Sequence, residues 1–293
     1  MGPVWAVVVT YNRRDLLVQC LDALQAQERA PDHVLVVDNA STDGTPDLVR
    51  ERFPWAEVKV LPDNQGGAGG FHEGLKAAYE AGAEWTWLMD DDTIPQPDTL
   101  KALLDARDDV PPGAPPPLVL ASKVVWEDGH IHPMNAPGYE RNRVERLVAG
   151  CEHGLMPLRC ATFVSIMFHR DAIDRHGLPL KHYFIWSDDI EYTARILRRE
   201  DAGYLVPASV ALHKTKTAYT AVSTTGDRFY FHIRNHVFML RGTSWDWREK
   251  LTLVYVMLTS TYSYLSYNRW SAAKAKVVGR GLRDGVKPVP QLP

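Results

Sequence analysis

Three consecutive aspartates, Asp90, Asp91 and Asp92, close the apolar run Trp85-Thr-Trp-Leu-Met89 and precede Thr93-Ile-Pro95. The run reads as a short buried strand, and carboxylates at its C-terminal end face the crevice where open α/β sheets bind ligands. Carboxylates packed this closely repel one another unless a cation sits among them, and a divalent metal bridging nucleotide phosphates is the chemistry they suit. The competing reading is a solvated acidic turn, or a cap for a helix near Pro97. A lone triplet favours that second reading, but this triplet has company. Thr10-Tyr11-Asn12-Arg13, Asp38-Asn39-Ala-Ser-Thr-Asp-Gly44 and Asn64-Gln-Gly66-Gly67-Ala-Gly-Gly-Phe71 each follow an expected strand. Asp38 suits a ribose or base edge and equally a turn. The glycine run suits close backbone approach to a diphosphate, although glycine serves any loop that needs positive φ. Further on, Phe184-Ile-Trp186-Ser-Asp188-Asp189-Ile-Glu191-Tyr192 puts three carboxylates where a helix begins. The helix dipole favours acids there, while the flanking aromatics suggest a sugar-stacking site.

The elements that must position these groups follow from periodicity. Strands are expected at Val4–Thr10, His33–Val37, Val58–Leu61 and Trp85–Met89, with helices over Asp15–Gln27, Thr45–Phe53 and Phe71–Ala81 between them. This alternation argues an α/β fold with a mixed, mainly parallel sheet flanked by helices. Pro111-Pro-Gly-Ala-Pro-Pro-Pro117 separates a first half, 1–110, from a second, 118–220. Strand resumes at Leu118–Val125, and Glu127–Leu158 reads as long loops. Arg159–His169 and Tyr204–Leu212 read as strands and Asp188–Glu200 as helix. Residues 227–293 form a helical extension, expected as helices over Asp227–Leu240 and Trp247 to about Gly281.

Composition sets the outer limits. The 293 residues are 45% hydrophobic and 24% charged, ordinary for a globular chain, and the net charge of −3 gives no pull toward nucleic acid. From Arg241 onward nine basic residues face three acidic ones, so that stretch carries +6 and the rest −9. Three cysteines without zinc spacing read as reduced thiols, and the opening Met1-Gly-Pro-Val-Trp5 shows no basic leader. A cytoplasmic location is expected. The apolar stretch Leu251–Leu265 is too short for a membrane span, which needs about 20 residues. The basic tail suits contact with the inner face of a membrane. A helix packed on the core, or on a second subunit, is the alternative.

Val-Val-Val-Thr10-Tyr-Asn-Arg13, Val-Val-Asp38-Asn-Ala-Ser-Thr-Asp-Gly44, Asn64-x-Gly-Gly67 and the aspartate triplet, in this order, resemble the family 2 inverting glycosyltransferases of GT-A fold. Gly69-Gly-Phe71, Trp186-Ser-Asp-Asp-Ile-Glu-Tyr192 and Arg228-Phe-Tyr-Phe-His-Ile-Arg-Asn235 resemble the galactofuranosyl- and rhamnosyltransferase branch. The resemblance implies that Thr10, Tyr11, Asn12, Arg13, Asp38, Asn39, Asn64, Gly66, Gly67, Asp90, Asp91 and Trp186 surround the nucleotide sugar. It implies that Asp92, Asp90 and His213 hold Mn2+ or Mg2+, and that Asp189, with Asp188 and Glu191 beside it, is the general base. The 228–235 segment reads either as Arg and aromatics over the diphosphate or as a packed amphipathic helix. The implied activity is metal-dependent transfer of a sugar from a UDP- or dTDP-sugar to a hydroxyl of a glycan or glycolipid. A sugar nucleotidyltransferase would need an early glycine-rich loop, and Thr10–Arg14 contains no glycine. An inactive nucleotide-sugar-binding protein would not need Asp92, Asp189 and His213 together.

Overall fold

Strand β1 (Val4–Thr10) is buried along its whole length and its side chains alternate between two cores, which makes it the centre of a three-layered α/β fold. The computed structural model describes residues 2–140, 143–215 and 226–288. Val7 and Val9 face one layer and Ala6 and Val8 the other, as the two-residue period of a strand requires. The chain continues through α1 (Arg14–Gln25), β2 (His33–Asp38), α2 (Thr45–Arg52), β3 (Ala56–Val60), α3 (Gly66–Glu80), β4 (Trp85–Asp90), β5 (Thr93–Pro95) and α4 (Thr99–Asp108). The second half holds β6 (Val119–Val125), β7 (Gly138–Tyr139), α5 (Val144–Glu152), β8 (Met156–Cys160), β9 (Ile166–His169), α6 (Arg170–His176), α7 (Asp188–Leu197) and β10 (Gly203–His213). Helices α8 (Phe229–Arg241), α9 (Trp247–Tyr267) and α10 (Ala272–Gly285) follow.

Among the described residues the strands run in the order β3-β2-β1-β4-β9-β6-β10-β8-β7, with β5 added against β10. The block β3-β2-β1-β4 is parallel, as is β6 with β10, while β9 lies antiparallel between β4 and β6. One mixed sheet therefore runs through both halves. Leu17, Leu21 and Leu24 of α1 cover one face with Leu100 and Leu103 of α4; Phe71 and Leu75 of α3 and Tyr192 and Ile196 of α7 cover the other.

Four expectations change. The glycine run is not a loop: α3 begins at Gly66 and includes it. Its glycines let the helix lie close on the sheet, since a Cβ on Gly70 would stand 2.4 Å from Val9 Cγ1 and one on Gly74 the same distance from Val7 Cγ1. Packing overrides the poor helix propensity of glycine. Within Glu127–Leu158 the chain forms β7, α5 and the start of β8 instead of continuous loop. Arg159–His169 splits at a bend where Ser165 takes φ 56, its hydroxyl accepting from Trp87 Nε1 at 3.1 Å. The long final helix breaks between α9 and α10, where Arg269 and Trp270 take φ 51 and 55.

Gly70→Ala should overpack this contact and cost about 1–3 kcal/mol. A thermal melt should show a lowered Tm, whereas Gly67→Ala, with no atom within 4 Å of the added carbon, should leave Tm unchanged or raised.

Candidate active site

Parallel pairing levels the strand ends: Thr10 lies opposite Asp38 and Val9 opposite Asp90, so three acidic or polar turns share one rim. Asn12, at φ 53, ties the first turn to the second by accepting from Thr42 N at 2.8 Å. Asp38 is fully buried; one carboxylate oxygen accepts from Ser41 N at 2.8 Å and the other has no hydrogen-bond partner. A buried acceptor without a donor, at a ligand-facing rim, suits a ribose hydroxyl or base N–H. Asn39 links this turn to α3, donating to Gly66 O at 3.3 Å and accepting from Gln65 N at 3.3 Å. Asn64 Oδ1 accepts from Gly66 N at 2.9 Å.

The triplet divides. Asp91 turns inward, accepting from the buried Thr10 hydroxyl at 2.8 Å and from Tyr11 N and Arg13 Nη1 at 3.4 Å. Asp92 is paired with Arg13 on one side and lies 3.1 Å from His213 Nε2 on the other. Antiparallel pairing of β10 with β5 sets His213 opposite Thr93, which is what brings it to Asp92. One ligand atom from each of Asp90, Asp92 and His213 falls within a 4.8 Å cluster. His213 Nδ1 is 2.8 Å from Asn135 Oδ1, and Asn135 Nδ2 donates to Thr162 Oγ1 at 2.9 Å. That amide orientation makes Nδ1–H the donor and leaves the Nε2 lone pair facing Asp92, as second-shell partners of metal-binding histidines do. Two adjacent ligands of an octahedral ion with bonds of about 2.1 Å stand about 3.0 Å apart. The donor set therefore fits Mn2+ or Mg2+. Without a cation, burial and the charges of Asp92 and Asp91 push Asp90 well above the usual carboxylate range. Burial also raises Asp91 to about 7, while at Asp92 the paired Arg13 guanidinium opposes burial and favours the ionised carboxylate.

The second acidic group lies on the first turn of α7, after a segment in which Phe184, Trp186 and Ser187 all take left-handed φ, 64 to 67. Such strain persists only when the surroundings over-determine it. Here α8 supplies the restraint. The buried Asn235 amide donates to Tyr183 O, Ile185 O and Trp186 O at 3.2, 2.9 and 2.8 Å. Arg234 donates to His182 O and Tyr183 O at 3.0 and 2.6 Å, and Phe231 stacks on Phe184. On the other side Phe184 O accepts from Ala68 N at 3.2 Å and occupies the place of any Cβ on Gly66, so α3 fixes the same segment. Asp189 is partly open; burial raises it to about 6 against backbone N–H donors from Ile190 and Phe163. Its charge is among those that raise Asp90, so the two carboxylates are near enough to influence each other. Burial and then Asp189 push Asp188 well above its ordinary range.

The model of the family described as "Glycosyl transferase family 2" matches residues 5–171. The chain belongs to that family. It is 32% identical over 67% of its length to the galactofuranosyltransferase GlfT1 of Mycolicibacterium smegmatis, and the match spans 65% of that relative. It is 27% identical over 84% of its length to an N-acetylglucosaminyl-diphospho-decaprenol L-rhamnosyltransferase of Mycobacterium tuberculosis, covering 86% of that protein. Among solved structures, residues 1–349 of S. aureus TarS superpose with a TM-score of 0.61 at 17% identity, covering 97% of this chain and 80% of that one. A mannosyltransferase of Pyrobaculum calidifontis superposes at 0.57 and 20% identity, over 96% and 80% of the two chains. The fold is GT-A.

Within this family 2 site the expected residues sort unevenly. Asp90, Asp92 and His213 converge, Asp38 and Asn39 end β2 at the same rim, Asn64 accepts from the start of α3, and Asp189 lies near enough to raise Asp90. Thr10 and Asp91 engage each other instead of opening to the crevice. Gly66 meets Phe184, whereas Gly67 is open. Arg13 reaches the triplet and Asn12 braces a turn, while Tyr11 is exposed. Trp186 enters through its backbone, and its ring is partly exposed. Glu191 is buried against Arg195 at 3.2 Å and the Ser244 hydroxyl at 2.7 Å, an anchor for α7. Of residues 228–235, Arg228 is exposed and 229–235 open the packed helix α8, with Arg234 and Asn235 clamping backbone. The sequence gives no motif for Asn135; it sits in the His- and Pro-rich stretch read as loop. Asn235→Ala should leave three carbonyls without that donor, at about 1–3 kcal/mol. Tm should fall, and turnover should fall further than nucleotide affinity, as measured by calorimetry beside initial rates.

Proposed function

We propose that this chain is a metal-dependent, inverting glycosyltransferase. It moves a sugar, galactofuranose or rhamnose, from a UDP- or dTDP-sugar to a hydroxyl of a lipid-linked glycan. The observation that supports this reading is that Asp189, raised to about 6, stands near enough to Asp90 of the Asp90, Asp92 and His213 cluster for its charge to be felt there. A base near neutrality and an anionic leaving-group site, side by side, are what direct displacement at an anomeric carbon requires. Asp189 takes the proton of the acceptor hydroxyl as its oxygen bonds to C1, and the C1–O bond to the diphosphate breaks on the opposite face. A bound Mn2+ or Mg2+ supplies neutralisation of the departing diphosphate. Asp38 holds the nucleoside through its unpaired oxygen, and Asn39 and Asn64 set the start of α3 beside it. Burial and its neighbour push Asp188 toward its neutral form, which limits the negative charge next to the base.

The relatives support the substrate classes. Two are named for galactofuranosyl and rhamnosyl transfer, the latter to N-acetylglucosaminyl-diphospho-decaprenol. TarS of S. aureus was solved with UDP and with UDP-GlcNAc, and the Pyrobaculum mannosyltransferase with GDP-Man and Mn2+. A role in cell-wall or polysaccharide synthesis, at the cytoplasmic face of a membrane, follows from a lipid-linked acceptor.

Thermal shift with UDP, dTDP, GDP and ADP, each with and without Mn2+, tests the donor half. Stabilisation by UDP or dTDP that depends on Mn2+, and disappears in Asp92→Asn, is expected; no shift with any nucleotide overturns the reading. Asp189→Asn tests the base. Transfer should fall by about 10²–10⁴-fold. In the wild type, kcat/KM should rise with pH to a plateau above about 6, because only the ionised carboxylate accepts a proton. A transfer rate unchanged in the variant would sink the assignment.

A further inference from the structure

From Leu251 to Asn268, nearly the whole of α9, there is no charged residue, yet most of the helix is exposed. Trp247, Leu251, Tyr255, Leu258 and Tyr262, spaced at helical intervals along one stripe, are each 61–67% exposed. The inner face is already satisfied: Tyr264 stacks on Phe229 at 4.0 Å, and Ser260 hydrogen-bonds His232 of α8 at 2.9 Å. The corner to α10 continues the stripe. Tyr267 and Trp270 are 70% and 60% exposed, and Trp270 is held out by a left-handed turn. A solvated helix face normally carries charge, so an uncharged aromatic one marks a contact surface. No described helix is long and apolar enough to cross a membrane.

Charge decides the occupant. Between Trp247 and Lys287 eight basic residues face two acidic ones. Arg248 and Lys250 lie at one end of the uncharged stretch and Arg269 at the other, and Lys276, Arg280 and Arg283 stand exposed on α10. A second copy would bring like charge against like charge across a symmetric contact. An anionic bilayer complements it, and Trp and Tyr at its edge are the side chains that an interface between water and lipid accepts. We propose that the outer face of α9, with the α9–α10 corner, docks the protein in the plane of an anionic membrane surface. The docked face is rigidly joined to the site. Gly281 and Gly285 bring α10 close to Ile233 and Val237 of α8, the helix whose Asn235 holds the segment before Asp189. The surface thus sets the height at which a lipid-linked acceptor meets the base, and for that role alone it rests on the proposed function.

Flotation of the full chain with vesicles of phosphatidylcholine, and of phosphatidylcholine mixed with phosphatidylglycerol, tests the docking. The wild type should float with the mixed vesicles and much less with the neutral ones, and added salt should weaken the association. Leu251→Glu with Leu258→Glu, both at exposed positions, should cut partitioning by about tenfold or more. Tm and the nucleotide-dependent thermal shift should stay unchanged in that variant, so a failure of the donor reading would show separately. Absence of flotation in the wild type, or equal flotation by the variant, overturns the proposal. So does a wild-type dimer in sedimentation equilibrium that the variant dissociates without any vesicle binding, which would assign the face to a second copy.

Discussion

Repulsion among carboxylates gathered at the ends of β4 and α7 is the constraint around which the site is organised. Two unit charges 4 Å apart cost about 4 kcal/mol at an effective dielectric of about 20. Two devices relieve it here. Asp91 is withdrawn into a hydrogen bond with Thr10, and Arg13 is drawn over Asp91 and Asp92. His213, delivered to Asp92 by the pairing of β10 with β5, adds a lone pair and no charge. What remains unrelieved is the Asp90 side, which burial and its neighbours hold well above its ordinary range. The chain thus leaves a deficit of positive charge at the place where the His213 lone pair is aimed.

The second acidic group is managed by backbone instead. Three left-handed residues in the 184–187 segment cost on the order of 1–3 kcal/mol each. Individual hydrogen bonds contribute about 0.5–1.5 kcal/mol net. The five that Asn235 and Arg234 supply to residues 182–186, with the Phe184–Phe231 stack, are of the size needed to offset that strain. Helix α8 in this sense sets where Asp189 stands, because it holds the segment that leads into α7.

The parallel core was legible because β1, β2 and β4 are strongly apolar runs, each ending in a polar turn, and the period of two and the helical period alternate cleanly through the first 110 residues. The aspartate triplet stood out for the same reason, since carboxylates at strand ends have few structural uses, whereas His213 entered only through the family resemblance. The glycine run was misread because its demand is steric and non-local. Val9, Val7 and Phe184 decide it, and none is adjacent in sequence. Asn135 carried no signal, and Asn235 stood only within a motif that left its role open, since an asparagine's partners are set by tertiary pairing; Asn135 meets His213 across 78 residues. Glu191 looked like part of a catalytic cluster because Arg195, one turn away and buried with it, reads in sequence as an ordinary surface residue.

The two acidic groups are also one electrostatic system. Asp189 contributes to the raised Asp90, so ionising one opposes ionising the other. A nucleoside diphosphate brings more negative charge to the same rim and by itself would oppose both. A divalent cation reverses the sign of each of these couplings, because it lowers Asp90, attracts the diphosphate and relieves Asp189. Coupling free energies are reciprocal, so whatever the cation gains from the donor the donor gains from the cation. On this reading the crevice discriminates against the diphosphate alone and in favour of the pair, and the cation is what lets the base ionise beside it.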